Sequence, residues 1–597
     1  MKRIIYFLVT IAVFNSGCSK YLDRKNLDTF TSDNFWRSET NLRLYIQGFY
    51  TDYFVGYGQN YTYGPVFSWA PWADDQVSST QWTTNPAASG NGWSFSNVRR
   101  ANIVIARTDE APISEEAKNH WKGIGRFFRA MEYTLLAKYF GELPVITTEL
   151  FPEQTDQLYK PRDPLPVVLE SILADYEFAA SNVRLDDGVQ QVNRYTVLAF
   201  MSRNLLYFGT LLKYHNGDAA LSKKLLEKAA WAANEVIASK KYAVADDYRG
   251  LFTSENLASN KEVILYREYI EAKVTHAILS YNSTEGQTGI TKSAFDSYLA
   301  ADGLPIKQSP LYNFTADNGE RNFRDTYRNR DPRMYGTIVD SLRFNKVDAA
   351  PSSTGISSWK FLPEVVTSET KFTSSFNVTD APIIRYGEVL LNYIEAVAEL
   401  GTITQEDVNV TINALHNRNI KLYGQTVTKL PPFTLAGGTF VANGIALDDP
   451  DRDPTVSSLI WEIRRERRAE LIFEGLRQDD LRRWRKFDYL NTMESKNGNK
   501  PTALGLGAYV DTLDYPRITN GPTWLALINN SDVRMYFPNP NDKSRGYIYG
   551  LWNNSLQRDW VPGQSFFERQ YLRSVPLDQI KMYSDMGVTL TQNPGWE

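Results

Sequence analysis

The chain is short of cysteine. Its 597 residues hold one, Cys18, so no intrachain disulfide can form. Cysteine zinc sites, iron–sulfur clusters and redox pairs are excluded with it. Histidine is nearly as scarce. The four, His120, His215, His276 and His416, are scattered, and none stands in the HExxH spacing that puts two imidazoles on one helix face. Neither sign of charge is in large excess: a net −4 at pH 7 leaves no global basic field for nucleic acid. There is no GxSxG and no P-loop, and "GLGAY" (505–509) is too short for a dinucleotide fingerprint. "DDPDRDP" (448–454) begins like a calcium loop. However, Pro454 stands where the glycine is needed and Ile460 where the final glutamate belongs, and helix capping explains the run better than calcium does. No cofactor or metal is therefore expected.

Long apolar runs are also missing. The longest near the start, residues 4–14, falls short of the ~20 residues a membrane span needs. Lys2 and Arg3 precede it, and Asn15, Ser16 and Gly17 follow it, directly before Cys18. A basic start, a short apolar stretch and small residues are the parts of a secretory signal. A cysteine directly after them resembles a bacterial lipoprotein signal, with Asn15 where leucine is usual. The resemblance implies a mature chain that begins at Cys18, whose sulfur carries a diacylglycerol. Acyl chains add ~0.8 kcal/mol per buried CH₂, and two or more make a stable anchor. The expectation is a protein anchored to a membrane and not threaded through it.

What the sequence does have is aromatic rings on a folded background. Hydrophobic residues at 42% and charged residues at 22% are the balance of a globular protein. The 14 Trp and 35 Tyr concentrate in polar, Gly- and Asn-rich stretches. Exposed flat rings stack on sugar faces, nucleobases or apolar peptide side chains.

Helical periodicity is strong in several segments. Over 115–140, Trp121, Ile124, Phe128, Met131 and Leu135 step along one face, with Gly141 and Pro144 as stop signals. Over 194–215, Leu198, Met201, Leu205, Phe208 and Leu212 repeat that spacing. "HNGD" (215–218) then makes a turn, and Leu225, Ala229, Ala232 and Val236 face inward on a second helix. Such an αα-hairpin resembles a degenerate tetratricopeptide repeat. Residues 385–401 and 404–419 read as another pair. The stretches 53–96, 241–380, 425–455 and 493–565 read as long irregular loops, which are uncommon unless functional. The fold class expected is mainly α, a helix-pair scaffold with a large loop-rich face. The parts are a signal over 1–17, an N-terminal part over 18–240 and a C-terminal part over 241–597, the last two forming one compact unit.

The segment 458–487, "SLIWEIRRERRAELIFEGLRQDDLRRWRKF", carries the most specific pattern. Its charges pair at helix spacings, and Gly475 divides it into two helices, with Asp479 and Asp480 set to cap the second. "ERRAELIFEGLRQDDLRRW" closely resembles the signature of the SusD/RagB family of outer-membrane nutrient-binding lipoproteins of Bacteroidetes. It falls on Glu466, Arg467, Arg468, Glu470, Glu474, Gly475, Arg477, Asp480, Leu481, Arg483 and Trp484. "GRFFRAMEYTLLAKYFGELPVI" (125–146), "YLAADGLPI" (298–306), "NRDPRM" (329–334), "IIRYGEVLLNYIEAVAE" (383–399) and the closing "QNPGW" match in the family's order. "SVPLD" stands where the family has Pro-Ile-Pro. The resemblance implies that the signature builds a buried ion-pair network, for which the planar arginine fork is suited.

It also implies glycan binding on loops, with no catalysis, and a SusC-like TonB-dependent transporter as partner. The ligand residues it points to are Trp72, Asp74, Asp75 and Trp82, then Tyr281 and Tyr298, with Trp359 as a further candidate. Read from the residues alone, "YFVGYGQNYTYGPVFSWAPWADDQVSSTQWTTNPAASGNGW" (53–93) is a stacking platform with amides and carboxylates for hydroxyls. The opposing reading makes several of its tryptophans core anchors. Two other functions stay open at this point: peptide binding, as in the RagB branch, and surface glycoside hydrolysis, which would need two carboxyls ~5–9 Å apart across the scissile bond.

Overall fold

The computed structural model describes residues 35–62, 64–65, 73–77, 85–283, 289–312, 323–343, 352, 355–364, 374–422, 425–490, 508–510, 533–536, 546–550 and 568–597. Cys18, Trp72 and Trp82 lie outside the described residues.

The scaffold is a succession of packed helices. α1 (Glu39–Tyr53), α2 (Ser96–Glu110), α3 (Glu115–Phe140) and α4 (Leu165–Asn182) come first. α5 (Arg194–Tyr214), α6 (Ala219–Ala238) and α7 (Tyr386–Glu399) follow, then α8 (Ser458–Leu471), α9 (Arg477–Arg483) and α10 (Leu577–Asp585). From α2 to α8 each helix packs against the next. Such stacking of antiparallel pairs buries a continuous core.

Local sequence sets the ends. Ser114 Oγ accepts the Ala117 N–H to start α3, Glu115 and Glu116 in its first turn suit the helix dipole, and Gly141 ends it at φ 71°. Asn193 and Asp218 cap α5 and α6 in the same way. Between them Asn216 takes φ 57°, as a tight turn requires. Leu225, Ala229, Ala232 and Val236 on α6 are fully buried. α3 is enclosed on nearly all sides. Trp121, Phe127 and Phe128 are buried, each contributing about 1.5–3 kcal/mol by burial. The predicted stripe does not hold to its end, because Met131 is half-buried and Leu135 is 38% exposed.

The helix predicted over 404–419 is broken. Thr411, at φ −117° and ψ −91°, separates Gln405–Val410 from Ile412–His416. The stretch 241–380 is not one long loop. It folds around a second core that includes Tyr57, Phe252, Tyr269, Phe295, Tyr298, Phe361 and Phe473. Short pieces surround this core, among them Gly250–Thr253, Lys292–Ser297 and Pro332–Tyr335. Two small ladders tie remote segments together. β1 (Gln76–Val77) pairs antiparallel with β3 (Gly289–Ile290), Gln76 facing Ile290. β2 (Val263–Arg267) pairs antiparallel with β4 (Ala381–Arg385), which runs directly into α7. Among the described residues, no helix is long and apolar enough to cross a membrane.

Candidate ligand-binding face

α8 buries charge on almost every side: Glu462, Arg465, Glu466, Arg467, Arg468 and Glu470 are all buried. Buried charges persist only when paired, and these are paired across the whole molecule. Glu470 Oε1 accepts from Arg385 and Arg418, each at 2.7 Å, and Oε2 accepts from Arg333 at 3.3 Å. Arg385 also donates to Glu262 at 2.7 Å and to both Glu474 oxygens at 2.7 and 2.8 Å. Arg333 binds Asp331 at 2.6 Å and Glu466 at 2.8 Å. Arg467 grips Asp480 with Nε at 2.8 and 2.9 Å. Arg483 and the Trp484 indole N–H meet on Glu395 at 2.7 and 2.8 Å. Burial pushes the Glu470 carboxyl up, but Arg418, Arg385 and Arg333 overrule it and hold it well below the usual range.

Gly475 lies at φ 78°, and a Cβ there would sit 2.6 Å from Pro65 Cβ. The helices on either side of it turn as expected, but the predicted cap does not form. α9 starts at Arg477 after Leu476, with no side-chain cap. Asp480 is spent on Arg467 and Arg483, and Asp479 on Lys138 at 2.7 Å. The acidic run at 448–454 is spent likewise: Asp451 pairs with Lys307 at 2.7 Å, Asp453 with Lys486 at 2.6 Å, and Asp449 with Arg465.

Asp74 and Asp75 require a correction. Expected on a sugar-binding surface, they are each 2% exposed. Arg477 holds Asp74 with Nε at 2.5 Å and Nη2 at 2.9 Å, and Arg468 Nε binds Asp75 at 2.6 Å. Against the cost of burial, Arg468 and Arg477 lower the Asp74 carboxyl, whereas burial, reinforced by the charge on Asp74, raises Asp75. The two aspartates tie segment 73–77 to the signature helices and to residues 289–291. Thr291 N–H donates to Asp75 O at 3.0 Å and Thr291 Oγ1 to Asp74 O at 2.6 Å, beside the β1–β3 ladder. Tyr298 is fully buried in the second core, so it cannot stack on a ligand. Tyr281 is 7% exposed and its hydroxyl donates to Tyr61 O at 2.7 Å. Trp359 is half-buried, with its indole N–H on Tyr335 O at 2.9 Å and the Arg249 guanidinium 4.3 Å from the ring.

The two most exposed aromatic rings among the described residues were not singled out from the sequence. Tyr61 is 58% exposed and Phe376 59%. The Tyr61 hydroxyl hydrogen-bonds Ser374 Oγ, two residues before Phe376. The backbone beneath them is tied together by hydrogen bonds. Asn60 N–H donates to Thr275 O at 2.8 Å, and His276 and Asn377 exchange two backbone hydrogen bonds of 3.0 Å. Asn377 Oδ1 accepts the Leu279 N–H at 2.9 Å. The His276 ring sits 5.0 Å from Tyr57 and 4.4 Å from Tyr269, and burial keeps it neutral, its pKa lowered to about 3. Phe376 stands in "TSSFNV". Its polar neighbours were the available signal of an exposed ring.

A mainly α scaffold of helix pairs, carrying a loop-built aromatic face and a buried Arg/Glu signature, defines the class. The model of the SusD family matches residues 261–596, and the chain belongs to that family. It is 22% identical over 524 residues to the SusD-like protein P38 of Formosa agariphila, covering 80% of this chain and 90% of that one. Its fold is similar to that of a SusD-like carbohydrate-binding protein from Bacteroides fragilis (TM-score 0.63, 19% identity, 92% of this chain and 99% of that chain). A laminarin-binding SusD-like protein is also similar (TM-score 0.51, 17% identity, 94% of this chain and 100% of that chain).

Proposed function

We propose that the protein is a non-catalytic lipoprotein of the cell surface that captures glycan and passes it to a SusC-like TonB-dependent outer-membrane transporter, a separate chain. Acyl chains on Cys18 tether it to the outer membrane. The observation that carries the reading is the pair of exposed rings, Tyr61 and Phe376, mounted on a buried hydrogen-bonded base. Rings held in place stack on the C–H faces of sugars without first losing conformational freedom. Family membership and the carbohydrate-binding and laminarin-binding relatives support the ligand class. Trp72, Trp82 and Trp359 remain ligand candidates in addition to these rings.

The test is retention of the chain in gels cast with neutral polysaccharides, laminarin among them, followed by titration calorimetry. Replacing both Tyr61 and Phe376 by Ala is expected to weaken binding at least tenfold, since each stacked ring is worth about 0.5–1.5 kcal/mol beyond its buried area. Trp82→Ala is measured beside it. Binding of oligopeptides in preference to every polysaccharide would overturn the glycan reading.

A further inference from the structure

A cleft of about 280 Å³ opens between α3, α5 and the turn joining α8 to α9. Neither Tyr61 nor Phe376 lines it. Its size is near the lower bound for small-molecule sites. Leu135, Met131 and Phe473 supply apolar wall, which explains why Leu135 on α3 stays 38% exposed.

Two neutral amides open onto this wall. Gln478, in the first turn of α9, is 4% exposed, and its side-chain amide has no hydrogen-bond partner among the described residues. Asn204 on α5 is 2% exposed. It gives its N–H to the Tyr176 hydroxyl at 2.7 Å and has no donor on its Oδ1 among the described residues. An amide facing an open cleft is hydrated when the cleft is empty, and a ligand hydroxyl can take that water's place on it. The charged groups on the wall are already engaged. Lys138 binds Asp479 at 2.7 Å, Asp52 binds Arg100 at 2.8 Å, Glu474 binds Lys360 at 2.8 Å, and Arg203 holds Glu388. Among the described residues of the wall, no free charge is left to hold an ion. A group with both donor and acceptor, set beside apolar surface, matches a ring that carries hydroxyls on its edge and C–H on its face.

We propose that this cleft is a second, separate site that takes one neutral pyranose ring, with Gln478 and Asn204 on its hydroxyls and Leu135 against its C–H face. The ligand class rests on the glycan reading above; the cleft and its unmatched amides do not.

Saturation-transfer NMR on the full chain tests it, with methyl glucoside, methyl galactoside and methyl mannoside as probes and glucuronate and N-acetylglycinamide beside them. Transfer to at least one methyl hexoside is expected, with none to glucuronate. Leu135→Trp fills the cleft from a partly exposed position and should abolish that transfer. Gln478→Leu should weaken it about tenfold and serves as the second variant if the first does not fold. Absence of transfer to every hexoside, transfer unchanged in both variants, or transfer to N-acetylglycinamide in place of the hexosides would overturn the proposal. Polysaccharide retention reads the two sites apart. Retention without hexoside transfer refutes the cleft alone, and hexoside transfer without retention refutes the exposed face alone.

Discussion

Arg385 is the point at which the buried network can be tested most sharply. Its guanidinium reaches Glu262, both oxygens of Glu474, the Glu470 carboxylate and the Glu470 carbonyl, and its side chain is 1% exposed. Methionine fills a similar volume but carries no charge, so Arg385→Met leaves Glu262, Glu470 and Glu474 to share Arg418, Arg333 and Lys360. Breaking a buried ion pair on one side costs about 3–5 kcal/mol, because the remaining charge cannot return to water. Unfolding entropy is about 2.1 cal/mol/K per residue. For a chain of 597 residues melting as one unit, that cost lowers the midpoint by about 2–4 °C. Calorimetric melts at pH 7 measure it. Lys224→Met is the control, since its partner Glu170 and Lys224 itself are about half exposed and such pairs contribute at most about 1 kcal/mol. Arg385→Lys should fall between, keeping the charge but losing the fork. The deficit of Arg385→Met should also shrink as pH falls and Glu470 and Glu474, whose pKa values Arg385 helps to lower, protonate. A midpoint no lower than that of the control would refute the argument from uncompensated charge.

Gly475→Ala forces an L side chain to φ 78° with its Cβ 2.6 Å from Pro65; a loss of about 2 kcal/mol or more is expected in denaturant titration. Asp75→Asn removes the charge that meets Arg468, and it should speed amide exchange at 73–77 and 289–291 more than it lowers the melting midpoint. Glu466 is fully buried, and Arg333 and His416 lower its pKa to about 2 against the cost of burial. Its folded value lies below the unfolded one of about 4.3, so its contribution is present above pH 4.3 and is lost as pH falls toward 2. Thermal melts should show a falling midpoint across that window and a smaller fall in Glu466→Gln.

The helices were legible where the information was local. α3, α5 and α6 begin at Ser114, Asn193 and Asp218, and α3 ends at Gly141, as residue chemistry demands. The break at Thr411 was not legible, because 404–419 keeps its apolar spacing through the break. Nor was the second core inside 241–380, whose elements are too short to show a period. The candidate site was legible in kind and not in its members. Asp74 and Asp75 stand in a polar aromatic stretch that reads as sugar-binding, yet the arginines that claim them lie 403 and 393 residues away in sequence. Leu135 had the spacing of a core residue, but the cleft beside it is formed by segments that only the fold brings together.

The signature helix pair has a further consequence for the ligand-binding face. Ion pairs are a poor means of adding net stability to a core, since desolvation offsets most of the attraction. Their advantage is direction: a guanidinium fork bonds well only when its carboxylate is correctly placed. From α8, α9 and the turn between them, this chain reaches Asp74 and Asp75, Arg333, Arg385, Glu395 and Arg418. They stand on four separate stretches of chain, 74–75, 333, 385–395 and 418, which must otherwise find their places through loops. One of these starts in β4, which follows directly on residues 374–380, and these carry Phe376. Misplacing it would break several strong hydrogen bonds at once, so the buried charges fix the position of the strand that leads from the exposed Phe376.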